Sequence, residues 1–404
     1  MGFRLLASWV FVLSFASGSA WAWPPTLGFE LTFTNPACYR AKYGDEDWGV
    51  AAKPNKQARN AFGARLESMA AARRDFTVTR GTDKYGYKTF IATYRDRFRF
   101  EVTLDTYVVE VPMMSTLPQL ERHETRIQKD IFDVATSVGL EATWIWGGGH
   151  VHVGADSTFG DNVLFFRNWI ADQANGVWLA TGAMEYDDAN AMSLWKLKPE
   201  LKTTLARILA DADRGAFRTP RDLASEVLAH VLMGGRKSGK AIMAAKYWQM
   251  NLNRFARFPI DIEPDEDGEW RTWDDWEAYF TYGEVKKAQR TIQQRAVRTM
   301  LTARDVLLEA RVLHGRLDYV RRMTKPLPLS PLFFAKRLPS VAERARMFRG
   351  WVEEAASVLP KESKVDIEEY GERRLYPGPW REAFLGRETP AKCSRKMAGE
   401  ARRP

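Results

Sequence analysis

Leu27-Gly28-Phe29-Glu30-Leu31-Thr32-Phe33-Thr34 alternates apolar and polar residues without a break. Side chains in a strand alternate between faces, so this segment is a strand with one apolar face and one polar face. Leu27, Phe29, Leu31 and Phe33 are expected in the core, and Gly28, Glu30, Thr32 and Thr34 on the other side of a half-buried strand. Such a strand needs partners. Phe76–Thr79 and Lys88–Tyr94 read as a hairpin around Asp83-Lys84-Tyr85-Gly86. Phe98–Val111 and Ala142–Val153 read as two further strands. Helical patterns run over Asn55–Ala72, Leu117–Val138 (N-capped at Ser115 or Thr116, stopped at Gly139) and Val163–Thr181. The later chain is mostly helical: Pro199–Ala212, Pro220–Met233, Thr302–Arg322 and Val341–Leu359. Asp261–Asp275 reads as an acidic loop and Pro326–Pro331 as a proline-rich bend. The fold class expected is α+β: an antiparallel sheet with helices packed on one face and a helical C-terminal half.

The first 22 residues stand apart. Arg4 precedes an apolar run from Leu5 to Ala16, and Ala20-Trp21-Ala22 has the small-x-small form of a cleavage site. This is the layout of a secretory signal peptide, so export to the periplasm or the medium is expected. The other reading is an uncleaved anchor, for which the run is short. No later stretch reaches 18 apolar residues, so no membrane span is expected after cleavage. Three parts follow: a signal peptide over 1–22, a main α+β domain over 23–325, and a helical extension with a basic tail over 326–404. The 404 residues carry 60 Lys+Arg against 51 Asp+Glu, a mild excess that favours anionic partners. Six Lys/Arg and two Glu fall in 385–404. Aromatics do not interleave with them, so a solvated tail rather than a nucleic-acid arm is expected. Two cysteines exclude a disulfide scaffold and a Cys-rich zinc site. Whether Cys38 and Cys393 pair is left open by the sequence.

The residues that suggest chemistry lie mostly on strands. In Gly147-Gly148-Gly149-His150-Val151-His152-Val153-Gly154, two imidazoles two residues apart share a face, and the glycines allow close backbone approach. Such a pair can hold a divalent metal or a phosphate, or it can be hydrogen-bonded within a polar face. Glu30 is central in the first strand. Glu110 ends a face that would carry Val102, Leu104, Thr106 and Val108, so partial burial beside a partner or a metal is expected. Carboxylates and imidazoles from three strands on one face would suit Mg²⁺ or Mn²⁺, ions that also hold nucleotide phosphates. Lys246 in Lys246–Asn253, and Arg295 and Arg298 in Thr291–Arg298, are cations for a phosphate or a carboxylate. Gly234–Ala241 approximates a Walker A loop, but a helix precedes it and Ala241 lacks the hydroxyl that Mg²⁺ needs there, so a flexible basic loop is the reading taken.

Taken in order, Leu27-Gly28-Phe29-Glu30, Val109-Glu110-Val111-Pro112, Gly149–Gly154, Lys246–Leu252 and Thr291–Arg298 resemble the amidoligase family of glutamine-synthetase-like carboxylate–amine ligases. The resemblance implies a sheet of that type whose concave face takes ATP and Mg²⁺ (or Mn²⁺). It implies amide formation through an acyl phosphate, from small-molecule or peptide carboxylate and amine substrates. By position, Glu30, Glu110 and Arg295 would be catalytic. Glu30, Glu110, His150 and Gln293 would face the metal, and His150, His152, Lys246 and Arg298 the nucleotide or phosphate. Two positions depart from the family pattern: Thr32 and Gln293 stand where carboxylates are usual. Export is also at odds with a need for ATP. The alternative implied is a degenerate, non-catalytic binding protein for a peptide, an amino acid or another carboxylate. A third reading, a hydrolase using a metal held by His150 and His152, lacks further ligands, because His123, His230 and His314 fall in helical stretches.

Overall fold

The computed structural model describes residues 24–35, 48–82, 88–105, 108–142, 149–176, 192–235, 245, 248–256, 290–297, 300–361 and 363. The leader, Cys38, Cys393, the acidic loop at 261–275, most of the Walker-like loop and the basic tail lie outside these residues.

In chain order the strands are β1 (Thr26–Thr34), β2 (Phe76–Thr82), β3 (Lys88–Tyr94), β4 (Arg99–Asp105), β5 (Val108–Thr116), β6 (Glu141–Ala142), β7 (Gly149–Gly154), β8 (Met250–Asn251) and β9 (Thr291–Val297). The helices are α1 (Trp48–Arg73), α2 (Leu117–Arg126), α3 (Asp133–Ser137), α4 (Ala155–Thr158), α5 (Val163–Asn175), α6 (Pro199–Asp213), α7 (Pro220–Val227), α8 (Ala303–Arg321) and α9 (Val341–Ser357). The strands form one antiparallel sheet in the order β2-β3-β4-β5-β1-β7-β9-β8, with β6 also on β1. The fold is mixed α+β, as the patterning predicts.

β1 is the sheet's organiser, and its alternation explains why. Leu27, Phe29, Leu31 and Phe33 are all buried in the main core. At about 1.5–3 kcal/mol for each large apolar side chain removed from water, these four together contribute about 6–12 kcal/mol. A one-residue slip would turn them outward and drive Glu30 into the core, so the register is strongly specified. The strand is not half-buried, however. Thr32 and Thr34 are buried as well. Thr34 exchanges hydrogen bonds with Asn55 of α1, and Asn35 donates its N–H to the same side chain. As the central strand, β1 is covered on both sides over part of its length.

Two strand readings change. The run from Phe98 to Val111 is not one strand but the hairpin β4–β5, in which Asp105 pairs with Val108 and Thr103 with Glu110. Glu110 therefore shares its face with Thr103, not with Val102 and Leu104, which are buried on the opposite side. The run from Ala142 to Val153 divides into β6 and β7. In the helical regions the changes are smaller. The α1 helix begins earlier than Asn55, at Trp48, and carries Pro54 within it. The α5 helix ends at Asn175, short of Thr181. The segment from Leu117 continues through a π-helical turn at Ile127–Phe132 into α3.

Helices pack on the apolar face. α1 lies against β2–β5. The start of α8 is set by Thr302, whose hydroxyl takes the Asp305 N–H while Asp305 returns the bond to the Thr302 N–H. Reciprocal caps of this kind satisfy two donors that a helix start leaves open. Thr219 with Asp222, and Ser340 with Glu343, do the same for α7 and α9. Buried Arg316 of α8 binds Asp172 of α5 and Glu354 of α9, and Trp351 donates to Asp172, tying three helices together. Phe333, beyond the proline-rich bend, sits in the main core.

Candidate functional site

The strand register gathers the polar residues. Glu30 pairs with His150 on β7 and with Pro112 on β5, Gly28 with His152, and Thr32 with Glu110. His152 in turn pairs with Gln293 on β9, and Asn251 with Gln293. Paired residues share a face, so Glu30, Glu110, His150, His152, Asn251, Thr291, Gln293 and Arg295 all belong to the face opposite the apolar core. β7 fits closely against β1 here: a Cβ added at Gly28 would lie 3.1 Å from the His152 Cβ.

Glu30 is the hub. His150 Nδ1 lies 2.8 Å from one of its oxygens, and His152 Nε2 lies 2.7 Å from the other. Gln293 Nε2 adds a longer donation at 3.4 Å. On its own, burial would push the Glu30 carboxyl up. The His152 imidazole and the hydrogen bonds from both histidines outweigh burial and hold it well below the ordinary carboxylate range. Glu30 is thus ionised and accepts only, so each imidazole turns an N–H toward it. His152 Nδ1 meets the Thr291 hydroxyl at 3.0 Å. Burial, helped by the Arg295 charge, brings His150 down to about 4 against the pull of Glu30. A neutral His150 that donates through Nδ1 keeps a lone pair on Nε2.

Gln293 has a definite orientation. Its oxygen accepts from Asn251 Nδ2 at 2.9 Å and from Arg295 Nη1 at 3.1 Å. A guanidinium can only donate, so the amide oxygen must face Arg295 and the NH₂ must face Glu30. Gln293 therefore links the Arg295 cation to the Glu30 anion. A metal-ligand role for its oxygen would require the amide to turn. Asn251 Oδ1 accepts the Asn253 N–H, which fixes the loop after β8.

Five nominated residues, Glu30, His150, His152, Gln293 and Arg295, thus come together. Glu110 is half-buried on the same face, one strand away and two residues along from the Glu30 pair. Lys246 and Arg298 lie outside the described residues. Thr291 and Asn251 were not singled out from the sequence. Counting by two from Gln293 reaches Thr291, and the apolar neighbours of Asn251, Met250 and Leu252, signal a buried asparagine.

The donor chemistry bears on the implied Mg²⁺. Among the described residues no group of three or more His, Cys, Asp or Glu is arranged as a ready metal site. Glu30 and Glu110, on neighbouring strands, are the carboxylates that one divalent ion would use, with Glu30 giving up an imidazole bond to reach it. They do not fit a cluster of ions, because Thr32 and Gln293 carry no charge. No protein-family model matches the chain, and no curated protein is found similar to it.

Proposed function

We propose that the protein is an ATP- and Mg²⁺-dependent carboxylate–amine ligase of the amidoligase type, built on a glutamine-synthetase-like sheet. The observation that carries the reading is the gathering of Glu30, Glu110, His150, His152, Gln293 and Arg295, from four strands far apart in sequence, on one face of an antiparallel sheet. Glu30 and Glu110 would hold the ion, whose chemistry is to offset phosphate charge during phosphoryl transfer. Arg295, anchored through Gln293, would hold the carboxylate substrate or its phosphorylated form. The lone pair of His150 suits a donor N–H, so an amine rather than a phosphate oxygen belongs beside it. In the net reaction the carboxylate accepts the terminal phosphoryl group of ATP. The amine nitrogen then attacks the acyl carbon, and phosphate and a proton leave.

The test is calorimetric titration with Mg²⁺–ATP and Mn²⁺–ATP at millimolar concentration, followed by an assay for ADP release. Binding that is lost in Glu30→Ala, with ADP release requiring both a carboxylate and an amine, is the expected result. Absence of nucleotide binding by the wild type ends the proposal.

A second reading has its own observation. Both Glu30 oxygens are already satisfied by imidazoles, and Gln293 completes a charge-balanced network without any ion. A non-catalytic protein that binds a carboxylate ligand at Arg295 is consistent with that, and with export. Tight binding of a carboxylate with no ADP release would favour it.

A further inference from the structure

The segment from Lys325 to Ser340 combines two properties that seldom coincide. Its backbone is clamped from Lys325 to Leu332, yet three of its large apolar side chains face water. Asn168 of α5 donates to the Lys325 carbonyl and accepts from the Leu327 N–H, at 2.9 and 2.8 Å. One helical stretch further on, Asn175 donates to the Pro328 carbonyl and accepts from the Ser330 N–H, at 2.9 and 2.7 Å. Arg167 donates to the Leu327 carbonyl, and Trp195 Nε1 to the Leu332 carbonyl. Phe333 is buried in the core and forms an edge contact with Phe334. Lys202, itself buried, places its ammonium over the rings of Trp195 and Phe333.

Leu332 at the end of this frame, and Phe334 and Leu338 beyond it, remain 37%, 45% and 36% exposed. They are three of the four large apolar side chains found exposed among the described residues. In the same segment Lys325, Lys336 and Arg337 are exposed, and none is in an ion pair among the described residues. The sequence from 325 to 340 holds no acidic residue. Lys198, at the start of α6, adds another exposed cation near Trp195, and Glu200 is the acid nearest to it in sequence.

We propose that this loop docks on an acidic phospholipid bilayer. Leu332, Phe334 and Leu338 enter the headgroup region, and Lys325, Lys336 and Arg337 meet lipid phosphates. Exposed apolar side chains interspersed with cations along one segment match a surface that is anionic outside and apolar within. Neither property alone would choose this partner. Cations without tips would serve any polyanion, and tips without cations would serve any apolar surface. From Lys325 to Leu332 the clamped backbone loses little conformational entropy on contact. Its carbonyls and N–H groups are used by Asn168 and Asn175, so it is not poised to add a strand to a protein partner. Among the described residues no helix is long and apolar enough to cross a membrane, so the contact through this loop is peripheral.

The experiment is co-sedimentation of the full chain with vesicles of phosphatidylcholine alone and of phosphatidylcholine mixed with phosphatidylglycerol. The wild type should partition onto the mixed vesicles and release with added salt. Leu332→Ser/Phe334→Ser/Leu338→Ser should lower partitioning about tenfold or more. Lys336→Glu/Arg337→Glu should do so by a similar factor, on the mixed vesicles only. Lys336 and Arg337 are exposed, so the urea unfolding midpoint of the charge-reversed pair should match the wild type. The charge-reversed pair keeps the test usable if the serine variant folds poorly. Equal binding to both vesicle types, or variants that bind like the wild type, overturns the proposal. So does a loss of self-association in the serine variant without vesicles, which would assign the patch to a second copy of the chain.

Discussion

His150 should make this protein lose stability on mild acidification, and the size of the loss follows from its setting. The imidazole is buried beside Arg295 and donates through Nδ1 to Glu30, and its folded value is about 4 against an ordinary 6.5. A lowered imidazole value means that the folded state prefers the neutral form. The contribution is complete above about pH 6.5 and is lost as pH falls from there toward about 4. A full 2.5-unit difference at 1.36 kcal/mol per unit would give about 3 kcal/mol. His150 retains 18% side-chain exposure, so screening reduces this to about 2 kcal/mol. The perturbation is His150→Asn, which keeps an N–H donor for Glu30 and removes the titration. Urea unfolding in half-unit steps from pH 7.5 to 4.5 measures both proteins. Stabilities of wild type and variant should converge by about 2 kcal/mol as pH falls over this range, as the wild type loses the His150 contribution. A difference that stays flat, or widens in favour of the wild type at low pH, would refute the reasoning. It would mean that folded His150 carries a proton, and the phosphate-facing role implied by the family resemblance would then fit better than an amine-facing one.

Two further substitutions probe the site and the frame. Gln293→Glu would set a second carboxylate against Glu30, a repulsion of about 4 kcal/mol at an effective dielectric of 20, partly offset by Arg295. One carboxyl should rise in response, so the variant should fall behind the wild type by about 1–2 kcal/mol at pH 8 and by less at pH 5, read by urea unfolding, with Mg²⁺ narrowing the gap if the ion binds there. In α8, Gly315→Ala would place a Cβ 2.6 Å from the Ala355 carbonyl oxygen of α9. Helix propensity favours alanine by about 1 kcal/mol, but the clash is with backbone, so calorimetry should show a lower Tm and a net loss of about 1–3 kcal/mol.

Some of this architecture was legible in the sequence, for reasons visible in particular residues. β1 was readable because one face of it enters the core, and period-two burial leaves a period-two pattern. The β2–β3 hairpin was readable from its runs of β-forming residues and the Gly86 between them in sequence, although only Phe76 of β2 is fully buried. The β4–β5 hairpin was not. Asp105-Thr106-Tyr107-Val108 contains no glycine, proline or asparagine, and β-forming residues flank it on both sides, so the run looks continuous. That missed reversal also put Glu110 on the wrong face, since face parity counted through a turn carries no meaning. Within a strand the pairing of His150 with His152 was plain. Between strands it was not, because register is set by partners far away in sequence: Glu30 meets Gln293 across 263 positions.

The neutral residues at positions 32 and 293 become intelligible once the network is drawn. A carboxylate at position 293 would face the Glu30 carboxylate, tolerable only with cations between them. Glutamine instead offers a donor to Glu30 and an acceptor to Arg295, so the same position joins the two charges rather than adding a third. Thr32 acts in the same direction: a buried neutral residue between Glu30 and the end of β1 removes a carboxylate from the face that the ion would occupy. With neutral side chains at both positions, the Glu30 charge is met by imidazole N–H groups and, through Gln293, by the Arg295 guanidinium. Any divalent ion there must compete with His150 and His152 for Glu30, and its affinity is set by how readily that carboxylate exchanges them. An amidoligase running on one weakly held ion needs that exchange, and a carboxylate receptor does not. Titrating Mg²⁺ against the His150 and His152 ring resonances therefore separates the two readings more directly than any comparison of whole folds.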